Sequence, residues 1–291
     1  MNKNIKLSNP GKFLWPHLGI TKLDYARIMH QLSPYLLNYT KDRYLTCIRY
    51  PDGIDGKSFY QKNSPPHAPD WIPTEEYGDI HYINLKEDDI LLWLCNLAVI
   101  EFHVSFNSIH GNIPDFIVFD LDPSEGVSFE LVREGAMKIH ETLRDMSITC
   151  IAKTSGATGI QILIPHGKKL DYEQGRQINE FFAAYFAQKY PGIFTIERMV
   201  KNRGKKIYFD YLQMWQGKSI IAAYSPRAVK EAAISMPLTW NELSRGVVTR
   251  DFHLKNILSI MEERGDLLAD YVHQQNLPLH NIFKEIKNLQ H

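Results

Sequence analysis

Phe116-Ile-Val-Phe-Asp-Leu-Asp-Pro123 runs four consecutive apolar residues into two aspartates separated by one leucine. A continuous apolar run of this length predicts a central strand covered on both faces. Side chains at i and i+2 of a strand share a face, so Asp120 and Asp122 project together. A third acid, Asp210, closes a second apolar strand in Ile207-Tyr-Phe-Asp-Tyr211. Three carboxylates on neighbouring strands form a hard-oxygen set for divalent cations, the raw material of two-metal phosphoryl transfer. Asp-x-Asp ahead of Pro-Ser also suits a strand running into a turn, with Asp122 capping the next segment. Two like charges at the end of an apolar strand repel, however, and a cation between them is the economical partner.

The 291 residues, 44% hydrophobic and 23% charged, suffice for a sizeable core in one large domain or two intimate lobes. Cys47, Cys95 and Cys150 are odd in number and widely spaced, which excludes a disulfide framework and a cysteine zinc site and fits a reducing cytoplasm. The longest apolar stretch, residues 90–100, is interrupted by Asn96 and too short to span a bilayer. Met1-Asn-Lys-Asn lacks the apolar run of a signal peptide, so a cytoplasmic, nucleoid-associated protein with no membrane partner is expected. A formal net charge of zero argues against a general polyelectrolyte binder. The cations are nonetheless clustered: Arg198, Lys201, Arg203, Lys205 and Lys206 precede the Asp210 strand, and Lys3, Lys6, Lys12 and Lys22 stud the N-terminus. Either cluster alone reads as a solvated loop. A basic loop leading into a carboxylate strand is also where a triphosphate or nucleic-acid backbone needs neutralising.

The layout is mixed α/β. Residues 9–16 read as a turn-rich lead-in, after which Thr21 caps a predicted helix over 22–37. Strands are predicted over 44–50 and 57–62 around Pro51-Asp-Gly53, a proline-rich loop over 63–73, a helix over 88–97 and a strand over 99–104. Between the aspartate strands the pattern gives a helix bearing Phe129, Val132, Ala136, Ile139 and Leu143, strands over 148–153 and 160–165, and a helix over 173–190. A further strand spans 219–224, and no repeat or linker marks a boundary.

Other candidates surround these strands. In Lys153-Thr-Ser-Gly-Ala-Thr-Gly159 the glycines, Gly156 among them, let backbone N–H groups and the Ser155 hydroxyl approach a phosphate, although such a turn is ordinarily a hairpin. It matches neither the Walker A nor the Rossmann fingerprint. His103 alternates with Glu101 on its strand and is placed to donate to a triphosphate or simply to pack. Arg227 offers a planar fork for phosphates or a surface ion pair.

Taken together, Asp120-Leu-Asp-Pro123, Thr154-Ser-Gly-Ala-Thr-Gly159, Phe209-Asp-Tyr-Leu-Gln213 and Ala223-Tyr-Ser-Pro-Arg227 resemble, in order, the polymerase domain of bacterial ligase D, the non-homologous end-joining enzyme of the archaeo-eukaryotic primase superfamily. The resemblance covers residues 7–271. It implies an α+β fold with largely antiparallel sheets and flanking helices, as a single domain over 1–291. Within it, 1–110 would bind DNA ends, 111–240 would form the catalytic core and 241–291 a helical tail. It further implies that Asp120, Asp122 and Asp210 hold two manganese or magnesium ions, and that His103, Ser155, Arg203 and Arg227 hold the incoming nucleotide. Gly156, Lys153 and Gln213 join that nucleotide site. Asn9, Lys12 and Lys22 match positions that grip a 5′-phosphate at a DNA end, and Arg49, Phe59 and Tyr60 match template contacts. A Ku homodimer and an ATP-dependent DNA ligase are the implied partners, with ribonucleotides preferred over deoxyribonucleotides. Three positions depart from the family pattern: Thr158 replaces a common Lys or Arg, Ile48 a common basic residue and Tyr60 a common Phe. With Thr158 in place, the expectation is either weaker nucleotide affinity or a shift of that contact to Lys153.

Two other readings use the same residues. An apolar strand ending Phe-Asp-Leu-Asp also resembles haloacid-dehalogenase phosphatases, but those carry it near the N-terminus with Thr or Val where Ser124 stands here. A non-catalytic DNA-end-binding module would leave three acids uncompensated near a DNA backbone. No Lys-x-Asp-Gly ligase signature occurs, the nearest string being Tyr50-Pro-Asp-Gly53.

Overall fold

Alternation along Phe116–Pro123 sorts its side chains between the faces of a sheet: Ile117, Phe119 and Leu121 are fully buried on one, while Asp120 and Asp122 lie on the other. The computed structural model describes residues 5–289, so Lys3 of the N-terminal basic cluster lies outside the described residues. In chain order the elements are β1 (Phe13–Trp15), β2 (Ile20–Thr21), α1 (Lys22–Thr40), β3 (Leu45–Arg49), β4 (Phe59–Gln61), β5 (Thr74–Tyr77), β6 (Ile80–Ile83), α2 (Asp88–Asn96) and β7 (Val99–Ser105). Then come β8 (Phe116–Pro123), α3 (Phe129–Asp145), β9 (Ile151–Thr154), β10 (Ile160–Pro165), α4 (Tyr172–Lys189), β11 (Phe194–Thr195) and β12 (Ile207–Phe209). The rest of the chain adds β13 (Ser219–Ile221), β14 (Pro237–Leu238), α5 (Trp240–Ser244), α6 (Ile257–Arg264) and α7 (Leu277–Leu289). The mixed, largely antiparallel fold class expected from the sequence is what these elements form.

They belong to two compact units, each discontinuous in sequence. The first comprises residues up to Gly111 together with Ser219–Met236 and Arg250–Asp266. Its antiparallel sheet has the order β13-β7-β3-β4, flanked by the β1–β2 and β5–β6 hairpins. Helix α1 begins where predicted: Thr21 Oγ1 accepts from the Asp24 N–H and the Asp24 carboxylate accepts from the Thr21 N–H, a reciprocal capping box. The helix continues through Pro34 to Thr40, three residues beyond the predicted end, because Tyr25, Met29, Leu32 and Leu36 keep an apolar stripe buried along it. The later segments are tied in by polar contacts as well: the hydroxyls of Tyr39 and Tyr224 both donate to Asp266, at 2.9 and 2.6 Å to the same oxygen. Residues 9–16, expected as a turn-rich lead-in, also include strand β1, since Leu14 and Trp15 are fully buried and need a paired backbone.

The second unit comprises Asn112–Lys218, Pro237–Thr249 and the residues from Leu267 onward. Its six-stranded sheet has the order β11-β12-β8-β10-β9-β14, antiparallel except for β11 beside β12. Helices α3 and α4 cover the face that carries Ile117, Phe119, Ile207 and Phe209. Phe119 lies 5.3 Å from Phe182 of α4 and 5.0 Å from Phe209, ring centre to ring centre. Burying each such ring contributes roughly 2–3 kcal/mol, so this face is where the apolar stabilisation is concentrated. Gly135 and Gly175 bring the helices close: a Cβ on Gly135 would lie 2.9 Å from Ile207 and Phe194, and one on Gly175 would lie 2.8 Å from Ile117. Among the described residues no helix is long and apolar enough to cross a membrane.

A similar approach occurs at the strand that carries the aspartates. A Cβ on Gly159 would sit 2.5 Å from the Leu121 carbonyl oxygen, so Gly159→Ala must push β10 from β8. The expected cost is about 1–3 kcal/mol, read as a lower urea midpoint with unchanged slope.

Candidate active site

Antiparallel register decides which side chains meet on the open face of the second unit's sheet. Asp120 is paired with Gln161 of β10 on one side, and the Asp210 N–H donates to the Asp120 carbonyl at 2.9 Å on the other. Gln161 is in turn paired with Lys153 of β9. Lys153, Gln161, Asp120 and Asp210 therefore form one row across four neighbouring chain segments, with Asp122 two residues along and paired with Tyr208. The row is wired: Lys153 Nζ donates to Gln161 Oε1 at 2.6 Å, and Gln161 Nε2 donates to Asp120 Oδ1 at 3.2 Å. The shared face expected for Asp120, Asp122 and Asp210 is present.

Asp210 accepts hydrogen bonds from the Tyr208 hydroxyl at 3.3 Å and from the Leu212 N–H at 3.1 Å. Arg203 reaches Asp122 at 3.5 Å, donates to the carbonyls of Glu197 and Arg198, and lies 3.8 Å above the Tyr208 ring. Its side chain is only 11% exposed, so this arginine is a fixed cation of the site and not a solvated loop residue. Of the other cations of the loop, Arg198, Lys201 and Lys205 are exposed and Lys206 is half-buried. Ser155 Oγ accepts from the N–H groups of Ala157 and Gly159 at 3.3 and 3.0 Å, and Gly156 has a φ of 76°, which closes the tight turn after β9. Gln213 follows Asp210 in a turn, its N–H 3.3 Å from the Asp210 carbonyl. Lys153 lies inside the second unit. It is 3% exposed and serves the Gln161–Asp120 row, because strand parity turns it onto the carboxylate face and not outward with the turn. Gln161 and Tyr208 carry no signal in the sequence, since only register makes them neighbours of the acids.

The first unit gathers a second group. Glu101, 4% exposed, accepts from His103 Nε2 at 3.0 Å, from Arg227 Nη1 at 3.0 Å and from the Ala228 N–H at 3.1 Å. Burial alone would raise the Glu101 carboxyl; the His103 hydrogen bond, the Arg227 charge and the Ala228 N–H hold it below the ordinary range. Glu101 thus fixes two residues that the sequence nominated separately. Also in this unit, Lys12 pairs with Asp52 at 2.6 Å and Lys22 Nζ donates to the Asn96 carbonyl at 2.9 Å. Asn9 is exposed, with a φ of 47°. Arg49 donates to the Leu97 carbonyl at 3.0 Å and to Gln61 at 2.9 Å, while Phe59 and Tyr60 on edge strand β4 are 54% and 75% exposed. Large exposed rings on an edge strand are free to stack.

Burial pushes the Asp120 carboxyl up to about 7; Asp210 and Asp122 add to the rise, against the Gln161 hydrogen bond and the Lys153 charge. Asp122 is raised as well, by desolvation first and by Asp210, against the pull of Arg203. Among the described residues no three acid or imidazole side chains converge as a ready-made metal cluster. The acids nevertheless share a face, carry hard oxygen donors and crowd negative charge, which suits a divalent cation. A folded carboxyl raised to about 7 contributes stability that is present below the unfolded aspartate value of about 4 and is lost as pH rises through 7. Asp120→Asn is therefore expected to raise the melting temperature of the metal-free protein. The gain should grow from pH 5 to pH 7 and level off above, as followed by thermal melting in a chelating buffer.

A family model described as LigD, primase-polymerase domain, matches residues 21–268. The bifunctional non-homologous end joining protein LigD of Bacillus subtilis (strain 168) is 37% identical over 289 residues, covering 99% of this chain and 47% of that protein. The multifunctional non-homologous end joining protein LigD of Mycolicibacterium smegmatis is 27% identical over 274 residues, covering 92% of this chain and 36% of that protein. The chain thus spans about half the length, or less, of these curated relatives. Among solved structures, the polymerase domain of Mycobacterium tuberculosis ligase D in complex with DNA matches with a TM-score of 0.84 at 25% identity, covering 94% of this chain and 99% of that one. With a match across most of its length and the acids in the order and pairing described above, the chain belongs to the LigD primase-polymerase domains, which are nucleotidyltransferases.

Proposed function

We propose that this chain binds 5′-phosphorylated DNA ends or gaps and adds nucleotides, ribonucleotides in preference, to a primer 3′-hydroxyl during end joining of double-strand breaks. The observation that carries the reading is the row Lys153–Gln161–Asp120–Asp210 with Asp122 beside it, a concentration of acid on one face of a sheet. Asp120, Asp122 and Asp210 would hold two manganese or magnesium ions, with Asp122 and Asp210 exchanging Arg203 and Tyr208 for the metal. Bound there, such ions supply Lewis-acid activation of the 3′-hydroxyl and neutralise phosphate charge. The protein's own contribution is orientation. Gln161 fixes the Asp120 carboxylate, and Arg203, clamped between backbone carbonyls and the Tyr208 ring, presents a cation that needs no rearrangement to meet a phosphate. His103 and Arg227, preset by Glu101, would contact the triphosphate, as would the Ser155 turn. Asn9, Lys12 and Lys22 would take the 5′-phosphate, and Arg49, Phe59 and Tyr60 the template strand.

The relatives are named for end joining, and the solved neighbour is a complex with DNA. These names support DNA as the substrate and, more distantly, a Ku homodimer and an ATP-dependent ligase as partners in a nucleoid-associated setting. Primer extension on a gapped duplex with a 5′-phosphate, in manganese, tests the reading. The expected result is templated addition of one or a few ribonucleotides, faster than deoxyribonucleotides, and a loss of at least about 100-fold in Asp120→Ala with DNA binding retained. Extension surviving in Asp120→Ala would overturn the catalytic assignment. Absence of any incorporation despite tight end binding would point to a tethering module, and release of phosphate from small monoesters to a phosphatase.

A further inference from the structure

The C-terminal end of α2 organises the basic N-terminal corner of the first unit. Asn96, the last residue of that helix, uses three of its atoms. Its Oδ1 accepts from both the N–H and the hydroxyl of Ser8, at 2.8 and 2.9 Å. Its Nδ2 donates to the Lys6 carbonyl at 3.2 Å, and its own carbonyl accepts from Lys22 Nζ at 2.9 Å. The next carbonyl, that of Leu97, accepts from Arg49 Nε at 3.0 Å. Two cations therefore sit at the end of one helix, where unsatisfied carbonyls and the negative end of the helix dipole favour them.

The segment between Ser8 and Lys22 is held at its other end by α1. Lys22 N–H donates to the Lys12 carbonyl at 2.8 Å and Leu23 N–H to the Pro10 carbonyl at 3.0 Å. Asn9 and Lys12 thus lie on a short bridge whose two supports are Asn96 and the first turn of α1. Lys22 is 5% exposed; its ammonium is directed at the Asn96 carbonyl and, at 3.4 Å, the Ser8 hydroxyl, which leaves one of three protons for a ligand. Burial first, then the charges of Lys12 and Arg49, lower the Lys22 ammonium below its ordinary range, so the corner is short of negative charge. Asp52 supplies part of it at the half-buried Lys12. A terminal phosphate, carrying nearly two negative charges and three free oxygens, supplies more than an internal diester does.

We propose that Asn96 is a positioning residue for recognition of a 5′-terminal phosphate, setting the Lys22 ammonium and the Ser8–Lys12 bridge in the geometry that distinguishes a phosphorylated DNA end from a hydroxylated one. The proposal rests on the reading of Asn9, Lys12 and Lys22 as the phosphate site. Asn96 does not touch the phosphate. Without its side chain the Ser8 anchor is lost, the bridge loosens, and Lys22 keeps a backbone partner but loses its fixed direction.

The test is the ratio of dissociation constants for 5′-hydroxyl and 5′-phosphate forms of one gapped duplex, by fluorescence anisotropy at fixed salt. In Asn96→Ala the ratio should fall about tenfold from the wild-type value, the size of one hydrogen bond between the misdirected Lys22 ammonium and the phosphate. Ser8→Ala, which removes the hydroxyl shared by Asn96 and Lys22 but leaves the Ser8 N–H bonded to Asn96, should lower it about threefold. Should Asn96→Ala fail to fold, the Ser8→Ala ratio decides. Equal weakening of both duplexes, or a ratio unchanged in both variants, overturns the proposal. A wild-type protein that binds both duplexes equally overturns instead the 5′-phosphate reading beneath it.

Discussion

The pairing of β8 between β10 and β12 is the constraint on which the site depends. Side chains alternate with a period of two, so a slip of one residue would turn Asp120 and Asp122 into the Phe119–Phe182–Phe209 cluster and bring Phe119 onto the open face. The aromatic side of the strand therefore holds the carboxylate side in place. Helices α3 and α4 act in the same direction through Gly135 and Gly175, which let them lie against Ile207 and Ile117 without displacement. Stability and site geometry are here one physical matter.

The acids this register brings together are destabilising to one another, and the structure offsets them unevenly. Asp122 has Arg203, and Asp210 has the Tyr208 hydroxyl and a backbone N–H. Asp120 is served by the Gln161 amide, with the Lys153 charge one residue further away. The repulsion left over shows in the raised carboxyls of Asp120 and Asp122. The opposite arrangement appears in the first unit, where the buried Glu101 collects His103, Arg227 and an N–H and is fully compensated. Arg203 and Arg227 are alike in being held by several partners within the protein, so much of their side-chain freedom is already spent in the fold.

Much of the fold was legible locally. Helix α1 starts at the capping Thr21 as predicted, α3 and α4 lie within one or two residues of their periodic patterns, and β8, β10 and the pairing of Asp120 with Asp122 on one face follow from apolar runs and alternation. Strand β1 was not legible, because three residues in a turn-rich stretch carry no periodicity; burial of Leu14 and Trp15 against distant segments makes them a strand. The two-residue strands β11 and β14 exist only through their partners Ile207, Tyr208, Lys153 and Ala152.

The sequence by itself determined the identity of the acids, the faces they share within each strand and the family pattern, since these rest on residue type and spacing. Tertiary structure alone decided which residues serve them. Gln161 beside Asp120, Lys153 turned inward, Arg203 stacked on Tyr208, and Glu101 joining His103 to Arg227 all depend on register or on chain segments far apart in sequence. Local propensity specifies direction along one strand or helix. Which strand lies alongside is set by the burial of whole faces, and that information is distributed over the chain.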